Sequence, residues 1–161
     1  YEALKKANIE VDYLGVDVIP KFTNWCKKTF PEGKFEVNPS LHKIDQPDNS
    51  FDVVYSRHVV DHMESFEKAL DEHKRVAKEL VIVVLWVPLA TGMEHKIKNI
   101  IDGPQDNRKV YENEYTNSYS HKKVMEYLVN DPEWKLMELT TDVGNEVGGH
   151  DTVIVLKHED N

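Results

Sequence analysis

Two histidines and an acid lie close together in the middle of the chain. His58, Asp61 and His62 stand at positions i, i+3 and i+4, so at the start of a helix they would share one face. An imidazole titrates near neutral pH and can act as a general base toward a hydroxyl group. Two imidazoles and one carboxylate can also hold a divalent metal ion, which is the weaker hypothesis. The structural alternative is that these polar residues only cap a helix.

A short apolar strand must position this cluster. Its aromatic and β-branched residues are Phe51, Val53, Val54 and Tyr55, and the turn-forming residues 48–50 precede them. Ser56, Arg57 and His58 then interrupt the apolar run. In an open α/β sheet, ligands bind beyond the carboxyl ends of the strands. The pattern therefore predicts a binding site at this strand end.

A second candidate, Asp17, ends the apolar stretch of residues 13–18. A carboxylate at the end of a strand can accept hydrogen bonds from two adjacent hydroxyls of a ribose. The alternative is an acid that caps a turn or a helix. Enzymes that use a nicotinamide cofactor place an acid in the same way, so Asp17 alone does not identify the cofactor.

Alternating strands and helices surround these residues. Residues 80–85 form a continuous apolar run, which is typical of a strand buried on both faces. Residues 66–80 have an apolar stripe at helical spacing, and Ser120 is a predicted N-cap for a later helix. Residues 134–139 and 152–156 are predicted antiparallel strands. This order of elements predicts an α/β fold with a mainly parallel sheet.

Two further helices are predicted from apolar spacing. Pro20 suits the first turn of a helix, and its predicted inward stripe is Phe22, Trp25, Cys26 and Phe30. A short amphipathic helix is predicted from Met93, Ile97, Ile100 and Ile101. Gly148 and Gly149 are interpreted as part of a hairpin loop between the last two strands.

Taken together, these segments resemble the class I S-adenosylmethionine-dependent methyltransferases. The resemblance is to small-molecule enzymes in which such a strand is followed by an acid–histidine pair, here Asp61 and His62. The other matching segments, in order, are residues 13–18, 35–40, 80–87, 134–139 and 151–158. The resemblance implies a single Rossmann-like domain over residues 1–161, a three-layer sandwich whose mainly parallel sheet ends in an antiparallel strand pair.

The resemblance also implies roles for individual residues. Asp17 would bind the ribose of S-adenosylmethionine and Val18 would border its adenine. Ser40 stands where the family usually has an acid near the adenine, and Leu41 would contact the ring. Ser56 and Arg57 would contact the cofactor from the carboxyl end of the strand predicted for residues 51–55. His58 and His62 are the catalytic candidates, and a divalent metal held by them with Asp61 is a minor possibility.

The acceptor pocket is implied to lie between the fifth strand and the last helix. Residues 108–119 interleave Tyr111, Tyr115 and Tyr119 with Arg108 and other polar residues. Such residues would suit a sugar or a phenol, and an ordinary surface insertion is the alternative. The predicted reaction is therefore methylation of a small molecule or glycan, at oxygen.

One departure from the family concerns its first strand and glycine-rich loop. That loop should precede Asp17 by a strand and a helix, whereas the sequence contains no G-x-G and residues 1–8 resemble the tail of the helix after the loop. A sheet without its central strand leaves backbone groups unpaired, so we expect a fragment of a longer protein. The alternatives are a catalytically inactive methyltransferase-like binding or scaffold domain, and a nicotinamide-dependent dehydrogenase, which the final antiparallel pair disfavours.

The composition of the chain limits the classes of partner that we expect. The 20 basic and 29 acidic residues give a net charge of -9, which argues against a nucleic-acid partner. The longest apolar run, residues 80–87, is shorter than the roughly 20 residues of a membrane-spanning helix, so no membrane association is predicted. Cys26 is the one cysteine of the 161 residues, which excludes an internal disulfide and favours a reducing, cytoplasmic compartment.

Overall fold

The computed structural model describes residues 1–40, 42–86, 89–91, 95–98, 115–144 and 150–159. The chain divides into two compact units, Tyr1–Asp45 and Gln46–Asn161. No helix in these described ranges is long and apolar enough to cross a membrane.

The first unit is built on two short parallel strands. Its elements are α1 (Glu2–Lys6), β1 (Leu14–Asp17), α2 (Pro20–Thr29) and β2 (Lys34–Val37). β1 pairs with β2 so that Asp17 lies opposite Val37. Phe35 packs against the rings of Tyr1, Tyr13 and Phe30, with centroids 5.8–6.4 Å apart. Gly15 permits this packing, because a Cβ there would lie 2.7 Å from Cδ1 of Phe35.

The inward face predicted for α2 is wrong at Phe22 and Trp25, while Cys26 and Phe30 are half-buried. The side chains of Phe22 and Trp25 are 52% and 59% exposed, whereas Thr23 is buried and its hydroxyl donates to the Pro20 carbonyl at 3.0 Å. The helix does begin at Pro20, as predicted. Within this unit α2 packs on a sheet of two four-residue strands, which cannot cover a stripe of four large side chains.

The second unit carries the larger sheet. Its elements are β3 (Phe51–Arg57), a 3₁₀ turn (Val60–His62), α3 (Phe66–Val76), β4 (Ala77–Leu85), β5 (His95–Lys98), β6 (Tyr115–Ser118), α4 (His121–Val129), β7 (Trp134–Gly144) and β8 (His150–His158). Four strands are hydrogen-bonded in the order β3-β4-β8-β7, and β5 pairs with β6. β3 and β4 are parallel, while β8 is antiparallel to both β4 and β7.

One face of the four-stranded sheet forms the core with α3 and α4. Alternate strand residues point to this face because the side-chain period of a strand is two. The buried sheet residues are Val81, Val83, Leu85, Ile154 and Leu156, and the buried helix residues are Phe66, Ala69, Leu70, Val76, Val124 and Leu128. Ser65 and Ser120 cap the two helices by accepting hydrogen bonds from the N–H groups of Lys68 and Lys123, and the cap predicted at Ser120 is thereby confirmed.

The predicted α/β class is confirmed, with parallel strands followed by a C-terminal antiparallel pair. The three strands predicted for residues 14–18, 51–55 and 80–87 are found as β1, β3 and β4. Their pairing differs from the single expected sheet, because β1 and β2 form a sheet separate from β3 and β4. Among the described residues, no strand pairs with both β1 and β3.

The short helix predicted from Met93 to Ile101 is also wrong. Ile97 lies in β5 and pairs with Thr116 of β6, while Met93, Ile100 and Ile101 fall outside the described residues. Spacing alone cannot separate a short apolar helix from a strand, and here a strand partner decides. The loop with Gly148 and Gly149 lies outside the described residues, although β7 and β8 on either side of it pair as predicted.

Candidate functional site

The candidate site of the second unit lies at the carboxyl end of β3. The strand runs through Arg57, two residues further than its apolar run indicates, and His58 follows with a left-handed φ of 55°. Histidine is among the residues that tolerate this conformation. The backbone N–H of His58 donates to the Val84 carbonyl at 2.9 Å. The end of β3 is thereby attached to the end of β4.

A buried acid, Asp151, contacts His58 from β8. Its Oδ1 lies 3.2 Å from Nε2 of His58, and its Oδ2 lies 3.6 Å from a terminal guanidinium nitrogen of Arg57. Asp151 is 5% exposed. β8 is antiparallel to β4, with Thr152 opposite Leu85, so the beginning of β8 lies beside the carboxyl end of β4. The fold therefore brings together two groups that are 93 residues apart in sequence.

The contact with Asp151 determines which histidine nitrogen can accept a proton. A carboxylate only accepts hydrogen bonds, so this contact favours the tautomer in which Nε2 of His58 carries the hydrogen and Nδ1 keeps its lone pair. Nδ1 has no hydrogen-bond partner among the described residues. The side chain is 30% exposed, and the half-exposed Trp86 ring lies 6.4 Å away, centroid to centroid. His58 can therefore act as a base toward a ligand group that reaches Nδ1.

Asp61 and His62 lie in the 3₁₀ turn and do not form a cluster with His58. Asp61 is fully buried, and its Oδ2 accepts a hydrogen bond from the Trp86 N–H at 3.0 Å. His58 precedes the turn in a left-handed conformation, so the helical i, i+3, i+4 relationship predicted for the three residues does not apply. The described ranges contain no group of three or more His, Cys, Asp or Glu residues that could hold a metal ion. The metal hypothesis thus has no support from the arrangement of these residues.

In the first unit, Asp17 ends β1 as predicted. Its Oδ1 accepts a hydrogen bond from the Ile19 N–H at 2.7 Å, just before α2 begins. Burial raises the pKa of the Asp17 carboxyl, and the bond from Ile19 opposes that shift. Oδ2 has no partner in the described part of the chain. Oδ1 thus makes the contact expected of an acid that caps a turn, while Oδ2 remains available to a ligand.

The loop after β2 holds Ser40 through a neighbouring side chain. Asn38 is buried, and its amide donates to the Lys43 carbonyl at 2.8 Å and accepts from the Asp45 N–H at 3.0 Å. The Ser40 hydroxyl accepts a hydrogen bond from the His42 N–H at 3.1 Å. Val18 is half-buried after β1, and Leu41 lies outside the described residues. Contact of these residues with an adenine stays a prediction.

Ser56 and Arg57 point to opposite faces of the sheet, because they are consecutive residues of β3. Ser56 is buried, and its hydroxyl has no hydrogen-bond partner among the described residues. Arg57 is half-exposed and faces Asp151. Their contact with a cofactor is not decided by these positions and also stays a prediction.

Tyr119, which the sequence suggested for an acceptor pocket, belongs to the core instead. Its hydroxyl lies 2.8 Å from the Val60 carbonyl and 2.9 Å from that of Met63. Asn117 is buried beside it and donates to both Met63 and the Tyr119 hydroxyl. These bonds attach β6 to the 3₁₀ turn. Arg108 and Tyr111 lie outside the described residues, and the side chain of Tyr115 is not described.

Sequence reasoning missed Asp151, Trp86 and Asn38. Asp151 was assigned only to a strand, and its sequence signal is an acid at the start of an otherwise apolar run, residues 151–156. Trp86 appeared as the end of an apolar strand. Asn38 appeared as a loop residue, although buried amides commonly organise loops through backbone hydrogen bonds.

Two of three comparisons with known proteins find a similarity. The family model described as "Methyltransferase domain" matches residues 1–85. No curated protein matches the sequence significantly. A putative S-adenosylmethionine-dependent methyltransferase from Listeria monocytogenes aligns with a TM-score of 0.70 and 10% identity, over 98% of this chain and 85% of that one. A similar enzyme from Mesorhizobium loti gives a TM-score of 0.69 and 12% identity, over 98% and 86%.

A third solved structure shows what one such fold binds. The 1,6-didemethyltoxoflavin-N1-methyltransferase of Burkholderia thailandensis contains 1,6-didemethyltoxoflavin and S-adenosylhomocysteine. It aligns with a TM-score of 0.66 and 10% identity, over 98% of this chain and 65% of that one. At these identities the likeness concerns the fold.

Proposed function

This chain belongs to the methyltransferase domain family, as a class I S-adenosylmethionine-dependent enzyme, and on that premise we propose that it methylates an oxygen atom of a small molecule or glycan. The observation that carries the choice of oxygen is the hydrogen-bonded contact between His58 and Asp151. It supplies a base at the carboxyl end of β3, where an α/β sheet binds its ligands.

The first unit offers residues suited to the cofactor. Oδ2 of Asp17 can accept hydrogen bonds from ribose hydroxyls while Oδ1 keeps the turn to Ile19. Val18 and Ser40 are the proposed neighbours of the adenine, with Leu41 beside them, and Ser56 and Arg57 are proposed cofactor contacts in the second unit. When bound, S-adenosylmethionine supplies an activated methyl group on a sulfonium.

The base assignment follows from what an oxygen acceptor requires. A hydroxyl must lose its proton as it is methylated, and a positioned base typically contributes about 10²- to 10⁴-fold to such a step. His58 has an unpaired Nδ1 among the described residues and a partly exposed side chain. His62 is a second catalytic candidate from the same segment, and it lies half-buried in the 3₁₀ turn.

The test is a methyl-transfer assay on the full-length protein with labelled cofactor. Simple phenols, catechols and monosaccharides would be compared with amine analogues of the same ring systems, because the Burkholderia relative is an N1-methyltransferase. Mass spectrometry of the products would assign the methylated atom. O-methylated products would support the proposal, and products methylated only at nitrogen would overturn it.

An inactive methyltransferase-like binding domain is the second candidate. The observation that favours it is the lack of any G-x-G in the sequence, since such glycines let the backbone approach a nucleotide closely. This candidate predicts no turnover with any acceptor. Calorimetric binding of S-adenosylmethionine together with turnover would exclude it.

A further inference from the structure

We infer that Asp151 is a positioning residue, which holds His58 so that Nδ1, and not Nε2, is the nitrogen that takes the acceptor's proton. The inference rests on the proposed function and adds a residue and an atom to it. Its evidence is the 3.2 Å distance from Oδ1 of Asp151 to Nε2 of His58, across the carboxyl end of the sheet.

His58 is held at two points. Its backbone N–H is bonded to the carbonyl of Val84 on β4, and its ring nitrogen Nε2 reaches Asp151 on β8. The left-handed backbone of His58 is an uncommon conformation that a residue keeps when its surroundings fix it. Two attachments to different strands leave the imidazole little freedom to rotate, and a base must be fixed in this way to meet a bound hydroxyl.

The surroundings of Asp151 favour a carboxylate in this role. A buried charge is costly unless it is paired and hydrogen-bonded. Oδ1 is paired with His58, and the Arg57 guanidinium lies 3.6 Å from Oδ2. Arg57 is the last residue of β3 and His58 follows it, so one strand end supplies both the cation that balances the acid and the imidazole that the acid orients.

In the proposed step, the acceptor oxygen forms a bond to the methyl carbon as the carbon–sulfur bond breaks, and the sulfur keeps that electron pair. The acceptor's proton passes to Nδ1 of His58. The resulting imidazolium carries the positive charge that the sulfonium has lost, and its Nε2–H remains directed at the Asp151 carboxylate, which stabilises that charge.

The first test does not depend on turnover. Long-range ¹H–¹⁵N spectra of histidine-labelled full-length protein, taken at alkaline pH with H58Q for assignment, identify the hydrogen-bearing ring nitrogen of His58. We expect hydrogen on Nε2 in the parent protein and a changed tautomer ratio in Asp151→Asn, whose amide can also donate. Hydrogen on Nδ1 in the parent, or an unchanged ratio in the variant, would overturn the inference.

The second test is a kinetic cycle with the accepted substrate. Asp151→Asn should lower kcat by about 10- to 10⁴-fold, as loss of an orienting acid does in a catalytic triad, while the affinity for S-adenosylmethionine stays within about twofold. Added to His58→Ala, the same change should have no further effect, because Asp151 acts through His58. Asp52→Asn is the matched control, since that acid is exposed on β3 and pairs with Lys78.

The outcomes separate this inference from the proposed function. If His58→Ala keeps full activity, the base assignment itself fails. If His58→Ala is impaired and Asp151→Asn is not, or if the two effects multiply, then only the role of Asp151 fails. Thermal unfolding of each variant shows whether a loss of kcat comes from loss of the fold. If a variant does not fold, the tautomer of His58 in the spectra of the folded parent tests the inference.

Discussion

The carboxylate of Asp61 accepts a hydrogen bond from the backbone N–H of Trp86 at 3.0 Å. The bond joins the 3₁₀ turn after β3 to the first residue after β4; Asp61 has no exposed surface, whereas Trp86 is half-exposed. The polar residues of the segment 58–62 thus have different surroundings. His58 faces Asp151 with a partly exposed ring, and Asp61 fastens the backbone that follows both parallel strands.

Replacing Asp61 should therefore lower stability. Asp61→Ala leaves the part-buried Trp86 N–H without its partner, which costs about 1–3 kcal/mol of the free energy of unfolding. Asp61→Asn is the control, because its amide oxygen can still accept that bond. Urea unfolding measures both variants. A chelator that abolishes activity, with Asp61→Ala otherwise stable, would contradict this role.

Replacing Asp17 should separate binding from folding. Asp17→Asn keeps an oxygen for the Ile19 N–H but loses the charge offered to ribose hydroxyls, which costs about 1.5–3 kcal/mol or about 10- to 150-fold in cofactor affinity. Calorimetry with S-adenosylmethionine measures the loss. Asp12→Asn, at an exposed acid paired with Lys34, should bind normally. Unchanged affinity in Asp17→Asn would remove Asp17 from the site.

The same variant should not be less stable at neutral pH. Burial raises the pKa of Asp17 in the folded protein, so the charged carboxylate lowers the free energy of unfolding once the pH exceeds the unfolded-state pKa. A neutral amide removes that penalty. We expect Asp17→Asn to unfold at the same or a higher urea concentration than the parent at pH 7. A large loss of stability would show that the residue is mainly structural.

Alanine at each histidine should distinguish the two base candidates. His58→Ala should lower turnover by about 10²- to 10⁴-fold while cofactor affinity barely changes, because the proton comes from the acceptor. Initial rates with the identified acceptor measure the loss of turnover. Full activity in His58→Ala and a large loss in His62→Ala would transfer the role to His62.

The buried His73 should make stability depend on pH. Burial lowers its pKa, although the Ala69 carbonyl, to which Nδ1 donates, and the charge of Glu72 oppose that shift. Because the unfolded state then binds a proton more readily, stability from the neutral ring is present at high pH and is lost as pH falls below about 6.5. Urea unfolding of the parent and of His73→Leu, measured at about pH 5 to 8, tests this pH dependence of stability.

The relevant quantity is the difference in free energy of unfolding between the two proteins. It should shift in favour of His73→Leu as the pH is lowered, and His42→Leu, at an exposed histidine, should show no such trend. A difference that stays constant over this range would mean that His73 binds protons equally well in the folded and unfolded states.

Local patterns in the sequence were sufficient for much of the fold. The continuous apolar run of residues 80–85 is a strand, the stripe predicted over residues 66–80 is a helix that ends at Val76, and Asp17 ends a strand. Each of these depends on backbone geometry and on side chains a few residues apart, which the sequence contains directly. The ordered set of such elements was also enough to indicate the family.

What the sequence could not determine depended on partners far along the chain. Trp25 fits an inward helical stripe, yet it is exposed because burial requires a surface to pack against, and the two strands of its unit are short. Ile97 forms a strand because β6 supplies its hydrogen-bond partner. The contact of His58 with Asp151 exists because β8 returns antiparallel to β4 and brings its first residues to the carboxyl end of the sheet. Residue types and spacing determined which groups could do chemistry, and only the tertiary structure decided which of them meet, because a contact between distant residues depends on how the strands between them pair.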